Sequence, residues 1–326
     1  MSSLLVIGGT GFFGKSILDS FKHGRLEKWG IEKVIAMSRN AESLHKEAPQ
    51  LISSSVELYS GDITKTSTLP AADIVIHAAA STDAIRYLSS PLVEQRNIQV
   101  GTYNYCTLAK SFHPKSKILY VSSGAVYGKQ PVTLSHIPEE YTGNDLSELP
   151  DGKRQYALAK RDAEEVVKTL GKEGLSVSIA RCFAFVGPWL PRNQHFAIGN
   201  FIEDGLQGRP VTVKAKNKVY RTCMHADDLV EWLMTMAVHA NPLCPIYNVG
   251  SDQAIIMGDL AKLVANEFGF DADVHQITDA AIDCYVPSIE KAIRELHLTL
   301  KYDVISSIRR TIQDINYILK NYSKDC

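Results

Sequence analysis

Tyr156 and Lys160 stand four positions apart in Gln155-Tyr156-Ala157-Leu158-Ala159-Lys160, at the start of a helical stretch that carries both on one face. A phenol with an ordinary pKa of about 10 is a poor acid at neutral pH, and a neighbouring ammonium that stabilises the phenolate brings it nearer the working range. Tyr-x-x-x-Lys is common and by itself says little. Its weight comes from Val121-Ser122-Ser123-Gly124-Ala125-Val126-Tyr127-Gly128, where a hydroxyl ends an apolar run. That is where α/β sheets put ligand chemistry.

A second cluster lies at the other end of the chain. Gly8-Gly9-Thr10-Gly11-Phe12-Phe13-Gly14 closes one apolar run and opens a helical pattern. Glycines at 8, 11 and 14 permit a tight turn, close backbone approach to a pyrophosphate and close helix–strand packing. The helix N-terminus then offers amide groups and a positive dipole end to phosphates. At the end of the next apolar run the sequence reads Met37-Ser38-Arg39-Asn40 rather than an acid. A carboxylate there would bind the ribose 2′-hydroxyl of NAD, whereas a hydroxyl and a guanidinium suit a 2′-phosphate. NADP(H) is the favoured cofactor and NAD(H) the alternative; the plainer reading of Arg39 is a solvated loop residue.

Elements must position these groups, and the composition allows them. The 326 residues are 45% hydrophobic and 22% charged, enough for a sizeable core, and the net charge of −1 favours neither nucleic acid nor an anionic membrane. The six cysteines form no C-x-x-C pair, and only His225 stands near Cys223, so no metal site is expected. Leu4-Leu5-Val6-Ile7 has no basic segment before it and reads as a strand rather than a leader. No run of about 18 apolar residues occurs, so no membrane span is expected, and the cytoplasm is the expected location.

Ser3–Gly8, Lys33–Ser38, Val56–Ser60, Asp73–Ala78, Lys117–Ser122 and Ser176–Phe183 read as buried parallel strands. Gly11–Lys22, Leu92–Phe112 and Tyr156–Leu170 read as helices between them. This alternation predicts an α/β fold, a Rossmann-type doubly wound parallel sheet. After Gly187-Pro188 it loosens into short strands (Val211–Lys214, Pro245–Val249) and helices (Asp228–His239, Met257–Phe268, Val304–Leu319). A dinucleotide-binding domain over 1–185 and a smaller mixed α/β substrate-binding portion over 186–326 are expected, some of whose segments return to the large sheet.

Further motifs run nearly end to end: Gly61-Asp62-Ile63, His77-Ala78-Ala79-Ala80, Asn97 ahead of Gly101-Thr102, Arg181…Gly187-Pro188, Arg221…His225-Ala226-Asp227-Asp228 and Tyr247-Asn248-Val249-Gly250. With the glycine loop and the Ser/Tyr/Lys set, the sequence resembles the extended short-chain dehydrogenase/reductases, in particular their nucleotide-sugar epimerase/dehydratase/reductase group. The resemblance implies that Ser123 hydrogen-bonds the substrate oxygen and that Tyr156 exchanges a proton with it during hydride transfer. It implies that Lys160 holds the ribose and tunes Tyr156. It puts Asp62 and Ile63 at the adenine and Ala78, Ala79 and Ala80 along the cofactor's path. It also gives Gly8, Thr10, Gly11, Phe12, Phe13, Gly14, Ser38, Arg39, Asn97 and Phe183 to the cofactor. Arg221 would grip a substrate pyrophosphate, the plainer reading being an ion pair with Asp227 or Asp228. Thr82, Asn193, His195 and Asn200 are the remaining substrate candidates. A homodimer through Leu92–Phe112 and Tyr156–Leu170 is implied as well.

Three departures narrow the reaction. The group's 4,6-dehydratases carry an Asp-Glu pair after the catalytic hydroxyl residue, and here those positions are Gly124 and Ala125. Ala184 stands where many relatives place an asparagine on the substrate phosphates. The segment 130–154, with Glu139, Glu140, Asp145, Glu148 and Asp151, is read as a solvated loop, or else a lid. The expected activity is NADP(H)-dependent reduction of a keto group on a nucleoside-diphosphate-linked deoxysugar. A nucleotide-sugar epimerase with a retained cofactor and a non-catalytic dinucleotide-binding protein are the alternatives.

Overall fold

Parallel strands need crossovers, and crossovers cover both faces of the sheet they build, so its strands must be apolar on both sides. The computed structural model, which describes residues 2–80 and 88–322, has that architecture. Strands β1 (Ser2–Ile7), β2 (Ile31–Ser38), β3 (Val56–Ser60), β4 (Ile74–His77), β5 (Lys117–Ser123) and β6 (Ser176–Cys182) are joined later in the chain by β11 (Ile246–Val249). The sheet order is β11-β6-β5-β4-β1-β2-β3, and the pairings from β3 to β6 are parallel. Leu4, Leu5, Val6 and Ile7 are all buried, as a central strand requires.

The chain winds outward from β1 in both directions, so the carboxyl ends of β1 and β4 flank the point where the winding reverses and a crevice opens. Register sharpens this: Ile7 lies opposite both Met37 and His77, so Gly8, Ser38 and Ala78 follow at one level. Helix α1 (Phe12–Lys22) leaves β1 through the glycine loop, and the short α2 (Leu44–Glu47) follows β2. Helices α3 (Pro91–Phe112) and α4 (Asp151–Lys172) pack on each other and on one face of the sheet. There Ile98, Tyr105 and Ala109 of α3 and Ala159, Ala163, Val167 and Leu170 of α4 meet Leu5, Val75, Ile118 and Val177. The spacing of the α4 residues makes one apolar stripe.

The strands occur where the alternation predicts them, within a few residues. The helix carrying Tyr156 begins earlier than expected, at Asp151 directly after Pro150, so Tyr156 sits in its second turn.

Two compact units divide the chain. The first comprises Met1–Gly128, Asp145–Cys182 and Val230–Tyr247, and the second Lys129–Asn144, Phe183–Leu229 and Asn248–Cys326. The second holds short strands, β7 (Phe185–Val186), β8 (Thr212–Val213), β9 (Lys218–Arg221), β10 (Met224–His225), β12 (Ile255–Ile256), β13 (Asp273–Val274) and β14 (Ile282–Cys284). These form one three-stranded and two two-stranded sheets.

The expectation of a solvated loop over 130–154 is corrected here. Gln130 is buried, its amide donating to the carbonyls of Leu134 and Ser135 and its Oε1 accepting from the Val286 amide at 2.9 Å. Ile137 is fully buried, and Glu139 accepts from the Asn248 amide at 2.8 Å. Residues 151–154 belong to α4. Glu140, Asp145, Glu148 and Asp151 do face solvent. Charge content alone misses the anchoring because a few well-bonded polar groups fix a segment whose other acids stay hydrated.

Candidate active site and dinucleotide cleft

In the first unit, the carboxyl ends of β1 to β4 open into a cleft of about 550 Å³. Gly8, Thr10, Gly11, Ser38 and Arg39 line it, as do Asp62, Ile63, Ala78, Ala79, Ala80 and Asn97. Gly14 serves it indirectly: a Cβ there would lie 2.3 Å from the Gly9 carbonyl oxygen, so only glycine lets α1 pack on the loop. Gly8 has φ +101° and lies against the Ala78 backbone, where a Cβ would be 2.9 Å away. A Cβ on Gly11 would meet only the Gly8 carbonyl, at 3.3 Å. Phe12 and Phe13 open α1 with their rings edge to face, 5.6 Å apart, outside the lining.

The cleft fits a dinucleotide. Gly11 caps α1 without a side-chain hydrogen bond, and no acid stands in the helix's first turn. Its leading amides and positive dipole end are therefore directed at whatever anion the loop approaches. Ser38 Oγ is buried with no hydrogen-bond partner among the described residues. A buried hydroxyl without a partner is costly, and a ligand oxygen would satisfy it. Burial alone would raise the Asp62 carboxyl. Bonds from the Thr64 amide and hydroxyl, at 2.9 and 2.8 Å, with the charges of Lys65 and Arg39, hold it below the usual range.

The reaction centre expected from the sequence lies at the end of β5. Ser123 closes the strand and caps the turn Gly124–Tyr127, its Oγ accepting from the Ala125 amide at 3.2 Å. Tyr156 reaches toward it from α4, near enough for Ser123 to favour the phenolate form. Burial pushes the phenol up to about 12, against the pull of Ser123 and with a further push from Cys182. At neutral pH Tyr156 therefore holds its proton. Lys160 is 2% exposed; its Nζ donates to the Val121 carbonyl at 2.8 Å and to Tyr120 Oη at 3.4 Å. Burial pulls this ammonium down to about 8, while Cys182 and Glu164 hold it up.

Behind these groups runs a buried network that the sequence did not announce. Glu164 and Arg181 form a two-pronged ion pair, with Nη2 to Oε2 at 2.7 Å and Nε to Oε1 at 3.0 Å. Ser122 donates to Glu164 Oε1 at 2.6 Å, and Arg181 Nη1 donates to Tyr127 Oη at 2.9 Å. The one available signal was spacing: Glu164 lies a single helical turn beyond Lys160. Glu47, Ser43 and Asn40 also line the cleft and were missed, because short helices after β2 turn them back toward it.

The second unit holds the other candidates. Arg221 Nη2 pairs with Asp283 at 2.6 Å, and Nη1 donates to the Tyr220 and Asp283 carbonyls. The plainer expectation of Asp227 or Asp228 as its partner is corrected. Asp228 instead accepts from the amides of Lys301 and Tyr302, and burial pushes its carboxyl up to about 6. Asn200 is tied to the Gln194 backbone at 2.6 and 3.2 Å, and the exposed His195 stacks on Phe196 with centroids 4.0 Å apart. Asn193 is exposed with φ +63°. Phe183 packs on Tyr285, centroids 4.6 Å apart. Thr82 lies outside the described residues.

Strand order, glycine loop and the Ser-Tyr-Lys group define a dinucleotide-dependent α/β enzyme of the short-chain dehydrogenase/reductase type. A family model described as the NAD dependent epimerase/dehydratase family matches residues 4–250. UDP-glucuronic acid decarboxylase 1 of Xenopus tropicalis is 26% identical over 322 residues, covering 97% of this chain and 72% of that protein. In fold, the chain is similar to a UDP-glucose 4-epimerase of Thermotoga maritima, with TM-score 0.79, 18% identity and 97% and 99% of the two chains covered. It is also similar to the Bordetella bronchiseptica enzyme WbmF in complex with NAD+, with TM-score 0.78, 19% identity and 98% and 94% covered. The chain belongs to the NAD-dependent epimerase/dehydratase family. Among the described residues no helix is long and apolar enough to cross a membrane.

The buried ammonium yields a prediction. The folded pKa of Lys160, about 8, lies below the usual lysine value of 10.5, so across that window the unfolded chain binds more protons. Wild-type stability then gains as pH rises from 8 toward 10.5. Lys160→Met should raise the thermal midpoint most below pH 8, with the advantage fading through that window. An advantage that stays constant from pH 7 to 10.5 in scanning calorimetry contradicts the assignment.

Proposed function

We propose that the protein is an NADP(H)-dependent oxidoreductase that reduces a keto group on a nucleoside-diphosphate-linked deoxysugar. The observation that carries this reading is the placement of Tyr156 beside Ser123 at the end of β5, followed by a turn that holds no acid. Eliminating water from a sugar needs an acid and a base beyond this pair, and Gly124 and Ala125 supply neither. The sugar-nucleotide substrate class is supported by the decarboxylase relative, whose name is that of an enzyme acting on a UDP-linked sugar.

The bound nicotinamide would supply the two electrons. Gly8, Thr10 and Gly11 would hold its pyrophosphate, and Ser38 and Arg39 a 2′-phosphate. Ser123 would donate a hydrogen bond to the carbonyl oxygen and polarise it. Tyr156, a phenol at neutral pH, would give that oxygen its proton, and the ammonium of Lys160 would favour the phenolate left behind. Arg221 would meet the substrate's diphosphate once released from Asp283.

A nucleotide-sugar epimerase that retains its cofactor is the second reading, favoured by the family's description as NAD dependent. The cytoplasm is the compartment this reading implies, consistent with described cysteines that are all free thiols. A homodimer is part of the proposal. Leu92, Val93, Val100 and Tyr103 of α3 are 65%, 57%, 38% and 68% exposed. At 3.6 residues per turn they fall within about 100° of helix surface. A stripe of that kind marks an interface.

Tyr156→Phe should abolish turnover of a keto-sugar nucleotide while leaving NADPH binding within about twofold, since the proton donor contributes to the transition state rather than to the cofactor. Full activity in that variant would remove Tyr156 from the chemistry. Mass spectrometry of dinucleotide released on denaturation separates the two readings: stoichiometric NAD favours the epimerase, and an empty protein that prefers NADPH favours the reductase. Light scattering should give twice the mass of one chain; a monomer rejects the dimer.

A further inference from the structure

The cleft carries a carboxylate where the proposed cofactor is most anionic. Past the end of β2 it is lined by Ser38, Arg39, Asn40, Ser43 and, closing α2, Glu47. A bare carboxylate in that position accepts a hydrogen bond from a ribose 2′-hydroxyl and repels a 2′-phosphate. Glu47 is not bare. Lys15, in the first turn of α1 just beyond Gly14, donates to Glu47 Oε2 at 2.6 Å across 32 positions of sequence.

The pair is asymmetric in a useful way. The Lys15 side chain is 15% exposed and the Glu47 side chain 48%. A lysine with its stem covered and only its head at the rim is held in place, so the carboxylate is drawn to a fixed cation. Burial alone would raise the Glu47 carboxyl, and Lys15, with a hydrogen bond from Ser43, outweighs this to hold it below the usual range, so the carboxylate is charged at neutral pH. Lys15 and Glu47 offset each other, while the Asp62 carboxylate on the facing loop lies in the field of Arg39 and Lys65. Without Lys15, the Glu47 charge would stand uncompensated on the same side of the cleft as Arg39.

We propose that the Lys15–Glu47 ion pair is a specificity-determining element of the dinucleotide site, in which Lys15 neutralises Glu47 so that the site accepts a 2′-phosphate. The proposal rests on the NADP(H) reading above. In it, Arg39 meets the phosphate and Lys15 acts by removing a repulsion. Glu47 limits how strongly the phosphorylated cofactor is preferred.

Cofactor titrations followed by fluorescence test this without a sugar substrate. NADPH and NADH dissociation constants would be measured for the wild-type protein, Lys15→Met, Glu47→Gln, the double variant and Arg39→Ala. Lys15→Met should weaken NADPH about threefold to fivefold and leave NADH unchanged or slightly tighter, the scale of an exposed ion pair. Glu47→Gln, which frees the Lys15 charge, should tighten NADPH by a similar factor, and the double variant should return to within about twofold of wild type. Raising salt should shrink each NADPH effect. If Glu47→Gln and a folded Lys15→Met both leave the NADPH-to-NADH ratio unchanged while Arg39→Ala lowers it, this inference fails and the 2′-phosphate reading stands. If Arg39→Ala leaves the ratio unchanged too, both fail. Should Lys15→Met not fold, Glu47→Gln alone decides, since a purely structural pair predicts no change in the ratio.

Discussion

The parallel register of β1 with both its neighbours is the constraint on which the cofactor cleft depends. Because Ile7 is level with Met37 and with His77, three chain segments turn out of the sheet side by side. Their first residues, Gly8, Ser38 and Ala78, must share a narrow space. Gly8 reaches it with a left-handed backbone against Ala78, and Gly14 lets α1 press onto Gly9. A slip of one residue in either pairing would shift that strand's loop off the level of its neighbours and away from the cleft. Cofactor geometry is in this sense a by-product of strand packing.

The residues proposed for the reaction centre are held by a second device, the buried Glu164–Arg181 pair. It joins α4, β5, β6 and the turn after β5 through Ser122 and Tyr127. Ser123 adjoins Ser122 in sequence, and Lys160 lies one turn from Glu164, so both are one step removed from this pair. Burying two charges is favourable only with good geometry and satisfied neighbours, and both conditions hold here. Loss of one partner would strand the other charge, at a cost of about 3–5 kcal/mol. Lys160 is handled more loosely, with a carbonyl, a more distant hydroxyl and the Tyr120 ring at 4.9 Å as its surroundings. That looseness is why burial pulls its pKa down.

Within a family that spans epimerases and dehydratases, the scaffold is shared and the reaction is decided by a few side chains around it. Gly124 and Ala125 are informative for what they lack. They shape the turn that follows Ser123 and bring no proton-transferring group to it. At the opposite end of the cleft, the segment after β2 brings Arg39 and Glu47 together, with Lys15 of α1 paired to Glu47.

The fold was legible because its signals are local. Apolar runs long enough for buried strands and glycines at the loop each require only a few consecutive residues, and they led directly to the sheet and the cleft at its carboxyl edge. The residues that escaped detection act over distance. Glu47 lines the cleft and pairs there with Lys15, 32 positions away, and Gln130 and Glu139 anchor a segment rich in acids to residues more than a hundred positions on. Arg221 was visible as an arginine with acids close by in sequence, yet its partner is Asp283, brought beside it by the pairing of β9 with β14. Sequence by itself determined the element types, since propensity and periodicity are properties of short segments. Only the tertiary structure decided which charges meet and which thereby are buried or neutralised, because Coulomb and desolvation energies depend on distances and exposures that exist only once the chain has packed.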